Sequence, residues 1–129
     1  MSTAQRRRFA YERRDGTVAI VPHSKATIRI VVFSDVHSPH HDPHAMELAL
    51  RIAQWISPHI VILNGDFVDF YAISKFPSRP IRRLLFREEV EFARDLLRYI
   101  RKELPDPLFL YLEGNHELRL KMYLWSKAQ

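Results

Sequence analysis

Three short apolar runs, each broken off by a polar turn carrying carboxylates or imidazoles, constrain the fold of this chain more than any other feature. The sharpest is Val61, Ile62, Leu63, Asn64, Gly65, Asp66, Phe67, Val68, Asp69, where a β-branched stretch stops at a glycine and an aspartate follows at once. A buried strand that ends this way delivers a carboxylate to the edge of a sheet. Ile28 to Phe33 likewise ends in Ser34, Asp35, Val36, His37, and Leu108 to Leu112 ends in Glu113, Gly114, Asn115, His116, Glu117.

Helical patterns separate the runs. Asp42 followed by Pro43 marks a helix start, and Ala45, Leu48, Ala49, Ile52 and Ile56 then give one apolar face that stops at Ser57 and Pro58. From Arg82 to Leu104 the positions Phe86, Val90, Ala93, Leu97, Ile100 and Leu104 alternate by four and three, and Pro105, Asp106 and Pro107 terminate the pattern. Residues 70–81 read as an irregular segment whose Phe70 and Tyr71 end lies near the strand ends, and Leu118 to Lys127 as a last helix.

The alternation predicts an α/β fold, a parallel βαβαβ(α) sheet with right-handed crossovers and all strand ends facing one way. Ligands of such sheets bind beyond the carboxyl ends of the strands, so Asp35, His37, Asp66, Asn115 and His116 should converge there.

At 129 residues the chain reads as one domain, residues 17–129, behind a basic arm of residues 1–16 that ends at the turn pair Asp15 and Gly16. Arg6, Arg7, Arg8, Arg13 and Arg14 against Glu12 supply most of the net charge of +5. The arm reads first as a solvated terminus and second as a contact for nucleic acid. Thr17 to Val21 reads as a short edge strand closed by Pro22. No apolar run approaches the ~18 residues needed to span a membrane, and no apolar block follows the arginines, so a cytoplasmic protein is expected. With no cysteine, any metal must be held by oxygen and imidazole nitrogen.

Taken singly, Asp35-x-His37 reads as a cap or surface pair, and Gly65-Asp66-x-x-Asp69 as a turn. Three such blocks at consecutive strand ends read as a metal site. Two divalent ions about 3.5–4 Å apart clamp a phosphate and need one bridging carboxylate. Asp66 is placed centrally for that, with Asp35 and His37 on one ion and the neutral oxygen of Asn115 on the other.

Asp35-Val36-His37, Gly65 to Asp69, and Gly114-Asn115-His116-Glu117 resemble, in order and placement, the first three signature blocks of the calcineurin-like metallophosphoesterases, over roughly residues 28 to 125. Asn64, Asp69, Phe70 and Tyr71 resemble the small members found in phages and bacteria. The resemblance implies a metal-dependent phosphoesterase that hydrolyses a phosphomonoester or phosphodiester with metal-activated water. It implies that Asp35 and His37 bind the first ion, Asp66 bridges and Asn115 binds the second, the metals being manganese, iron, zinc or nickel. It further implies that His116 acts as general acid or phosphate contact, with Asp69 orienting the imidazole and keeping it protonated near pH 7.

The family pattern continues into two more histidine blocks on a second sheet. Here the histidines are His23, His37, His40, His41, His44, His59 and His116, and none follows His116. The chain is therefore expected to form half of the metallophosphoesterase sandwich, with a competent first metal site, a weak second one and helices covering mainly one sheet face. It reads as a truncated product, a fragment, or a chain completed by a partner or in an oligomer. The alternative function is a non-catalytic remnant that binds metal or nucleic acid. His40, His41 and His44 read as solvated loop residues, and Arg79, Arg82 and Arg83 as a solvated charge run.

Overall fold

The computed structural model describes residues 9–15, 17–22, 27–74 and 85–128. Strands β1 (Phe9–Arg14) and β2 (Thr17–Pro22) pair antiparallel, Arg14 opposite Thr17. Strand β3 (Ile30–Phe33), helix α1 (Pro43–Ile56), strand β4 (Ile60–Asn64), a single 3-10 turn (Tyr71–Ile73), helix α2 (Phe86–Glu103), strand β5 (Leu108–Leu112) and helix α3 (Asn115–Lys127) follow. The second sheet has the order β3-β4-β5 and is parallel throughout, which is the α/β arrangement the alternation called for. Arg6 to Arg8, His23, Arg79, Arg82 and Arg83 lie outside the described residues.

Three expectations change. Phe9–Arg14 is a strand rather than part of an arm, and β2 pairs with it instead of edging the parallel sheet. Asp15, between the two strands, takes a left-handed backbone with φ 48°, as a tight reversal requires. Helix α3 starts at Asn115 rather than Leu118, because Glu117 at its third position reaches back to accept the backbone N–H of Gly114 at 2.9 Å. Asn115 and His116 are therefore first-turn helical residues and not loop residues.

Asp42 caps α1 as its sequence suggests, accepting from His44 N at 2.8 Å and Ala45 N at 3.2 Å, with Pro43 in the first turn. The buried face, however, is Met46, Ala49, Leu50 and Ala53, spaced i, i+3, i+4, i+7, whereas Leu48, Ile52 and Trp55 are 60, 49 and 86 % exposed. Apolar residues ring this helix, so periodicity cannot choose between its faces. Contact with the sheet does, since each fully buried side chain of this size is worth about 1.5–3 kcal/mol.

On α2 the expected inward face holds over most of its length, with Leu97 packed against the core. Ala93, Ile100 and Leu104 are buried, but Glu89 takes the place foreseen for Val90. Alternation along the strands sends Val31, Phe33, Val61, Leu63 and Phe109 into one cluster with those residues of α1 and α2. On the opposite face Ile30, Val32 and Leu112 remain 46, 55 and 47 % exposed, so the described helices cover one side of the sheet.

Candidate metal centre

Beyond the ends of β3 and β4 the two chains stay zipped together. His37 N donates to Asp66 O at 2.9 Å, Ser38 N to Phe67 O at 2.8 Å, and Asp69 N to Ser38 O at 3.0 Å. This is how a parallel pairing carries two ligand-bearing loops side by side. The helix-terminal end of β5 completes the third side. Gly65, at φ +75°, lies so close to Gly114 that a Cβ on either would press into the other loop; on Gly114 it would overlap the Asp66 backbone nitrogen and carboxylate.

Three of the expected metal ligands sit in left-handed backbone that non-glycine residues seldom adopt: Asp35 at φ 55°, His37 at 52° and Asp66 at 49°. Such conformations cost of order 1–3 kcal/mol each and persist only where surrounding contacts impose them. Their concentration at one spot marks a constructed site.

The side chains converge. His37, Asp66 and His116 present ligand-type atoms all within 4.8 Å of one another. Asp35 joins at the rim through His37, its Oδ1 standing 3.9 Å from His37 Nε2. Asp66 Oδ1 accepts the His116 backbone N–H at 2.8 Å, and the Asn115 carboxamide, with its nitrogen toward Asp66, donates to Oδ2 at 2.8 Å. That orientation leaves the Asn115 oxygen available as a ligand.

Asp69 does more than orient one imidazole. Its Oδ1 stands 3.0 Å from His37 Nδ1 and 2.9 Å from His116 Nδ1. For His37 this fixes the proton on Nδ1 and leaves Nε2, the nitrogen facing Asp35, as a free donor to a cation. The donor set of hard oxygens and one suitably polarised imidazole fits a first-row divalent ion.

His116 lies between Asp69 and Arg119. Nδ1 also lies 2.8 Å from the Asp69 carbonyl, while Nε2 faces Arg119 Nη2 at 3.1 Å. A guanidinium offers only donors, so in this contact Nε2 serves as the acceptor.

Glu117, the last residue of the third sequence block, carries the local architecture. Its oxygens accept from Asp66 N at 2.9 Å, Phe67 N at 2.7 Å, Val68 N at 3.1 Å, Gly114 N at 2.9 Å and the Tyr111 hydroxyl at 2.7 Å. Burial works to raise its pKa, but the Tyr111 hydroxyl and the backbone N–H groups outweigh it and hold the carboxyl below the usual glutamate range. Burial, aided by the same carboxylate, pushes the Tyr111 hydroxyl well above the usual tyrosine value. The Gly114-x-x-Glu117 spacing, a helix-start signature, was the available signal.

A second group, His40, Asp69 and Glu89, adjoins the first. Glu89 is 1 % exposed and receives Tyr71 N at 3.0 Å and Ala72 N at 3.3 Å, which pins the 3-10 turn beside the site. His40 keeps the exposed position expected of it, 3.8 Å from Asp69 Oδ2. His41 is half-buried and burial lowers its pKa, while His44 stays exposed. His59 is buried and accepts the Arg29 backbone N–H at 2.9 Å on Nδ1, far from a ligand's role.

A model of the calcineurin-like phosphoesterases matches residues 28–128, the span that holds the parallel sheet and every residue just placed around Asp66. The chain belongs to that family. Comparisons with curated proteins and with solved structures return no match. Membership makes phosphoester hydrolysis with metal ions the chemistry of its relatives, and the groups around Asp66 and Asp69 are of the metal-ligating type that chemistry requires. Among the described residues no helix is long and apolar enough to cross a membrane.

Proposed function

We propose that this calcineurin-like chain is a metal-dependent phosphoesterase that cleaves a phosphomonoester or phosphodiester. The observation that carries the reading is His37, tied through Nδ1 to Asp69 with Nε2 turned toward Asp35, beside an Asp66 carboxylate aimed by the first turn of α3. Asp35, His37 and Asp66 would hold the first ion, and Asp66 with the Asn115 oxygen a weaker second one. A divalent ion held there supplies Lewis acidity toward a phosphoryl oxygen and lowers the pKa of a water at neutral pH. Asp69 keeps the imidazoles of His37 and His116 in one tautomer, and Glu117 keeps the Asp66 loop from relaxing.

Hydrolysis of an aryl phosphate monoester or diester by manganese-loaded protein, abolished in Asp66→Asn, is the expected result. A folded, metal-loaded sample that turns over neither substrate would overturn the reading. Metal binding without turnover is the second reading, since the clustered His37, Asp66 and His116 can hold an ion whether or not a phosphoester is cleaved. The proposed contact of Arg6 to Arg8 with nucleic acid is separate, and steep salt dependence of DNA binding tests it.

A further inference from the structure

Arg119 lies one helical turn beyond His116 on α3, and the reading above gives it no part. Its Nη1 donates to the Asp69 carbonyl oxygen at 3.0 Å, and its Nη2 to His116 Nε2 at 3.1 Å. A guanidinium holds its charge at every working pH and offers only donors. A permanent cation beside carboxylates and imidazoles suited to a divalent ion raises the local positive charge that those ligands must tolerate. The arrangement becomes favourable once an anion shares the space.

We infer that Arg119 is the phosphate-selecting residue of this site, its fork turning from His116 onto a non-bridging phosphoryl oxygen when the substrate enters. The inference rests on the phosphoesterase reading and narrows it to phosphomonoesters. A monoester presents three non-bridging oxygens and up to two negative charges; a diester presents two oxygens and one charge. With two non-bridging oxygens on a filled pair of ions only the monoester keeps one for the guanidinium, and with the first ion alone the monoester still offers the greater charge and one more oxygen to its planar donors. Nη1 is already anchored on Asp69, so the change needed is confined to the end of one side chain. The same turn uncovers His116 Nε2.

A strut between α3 and the Asp69 loop is the competing role for Arg119, and it would affect folding but not anion binding. Calorimetric titration of orthophosphate into manganese-loaded protein, compared for the unaltered chain, Arg119→Lys and Arg119→Gln, separates the two. Arg119→Gln is expected to weaken phosphate binding by about tenfold or more and Arg119→Lys by less, with manganese affinity held within about twofold. The monoester-to-diester ratio of kcat/KM is expected to fall in step. If the unaltered metal-loaded chain binds no phosphate, the phosphoesterase reading falls and Arg119 with it. If it binds phosphate and Arg119→Gln binds it equally well, the inference alone is overturned. Should Arg119→Gln fail to fold, Arg119→Lys decides: weakened phosphate binding with manganese binding retained supports the assignment, and equal phosphate binding overturns it.

Discussion

Glu117 on α3 and Glu89 on α2 each reach from a helix to the backbone N–H groups of a loop, yet their surroundings act on them in opposite directions. Glu117 gathers the N–H groups of Asp66, Phe67, Val68 and Gly114 together with the Tyr111 hydroxyl. Glu89 gathers those of Tyr71 and Ala72. Burial raises the pKa of Glu89, with Asp69 adding to the rise, and its two donors and His40 offset this only in part. For Glu117 the donors win over burial. The number of N–H groups aimed at a buried carboxylate decides whether its charge is welcome. Glu117 thereby holds the Asp66 loop, while Glu89 holds a turn beside it.

The largest effect is expected for Glu117→Ala, which strands several backbone donors at once. It should cost about 3 kcal/mol or more in denaturant unfolding, and manganese binding should weaken with it. A loss no larger than that of Glu89→Ala would break the contrast. Tyr111→Phe removes one donor from Glu117 and should cost about 1 kcal/mol in the same unfolding measurement. Glu89→Gln should have the smallest effect, under about 1 kcal/mol, and the opposite sign.

The pH dependence sharpens this. The folded pKa of Glu117 is depressed, so its stabilisation is present above the ordinary glutamate pKa and is lost as pH falls through the folded value. The penalty of Glu117→Ala should therefore shrink in acid. The folded pKa of Glu89 is raised, so ionisation opposes folding as pH climbs past the ordinary value. Glu89→Gln should accordingly gain stability over the unaltered chain near pH 8 and lose that advantage below about pH 4. Thermal unfolding scans of both variants across this range check the two signs.

The parallel sheet and the gathering of Asp35, His37, Asp66, Asn115 and His116 were legible because both follow from chain direction. An apolar run that ends at a glycine and a carboxylate fixes where that carboxylate goes. The inward face of α1 was not legible, because Leu48, Ile52 and Trp55 repeat at the same spacing as Met46, Leu50 and Ala53. The anchoring by Glu89 of Tyr71 and Ala72, and by Glu117 of Asp66 to Val68, spans 17 to 51 residues and leaves no periodic trace, whereas the Glu117 contact with Gly114 is a local helix-start signature. Arg119 was hidden for a related reason: its contact with His116 is local, but its meaning depends on Asp69.

The central proposal is that Asp66, where three strand ends meet, is a ligand to a divalent ion. Asp66→Asn is the cleanest probe, because asparagine tolerates the left-handed backbone that Asp66 adopts at φ 49° and keeps the side chain's shape. Calorimetric titration with manganese should show binding to the unaltered chain. In the folded variant it should be weakened beyond the roughly 10–100-fold that loss of a merely supporting residue costs. Equal manganese affinity in the two folded proteins would contradict the account.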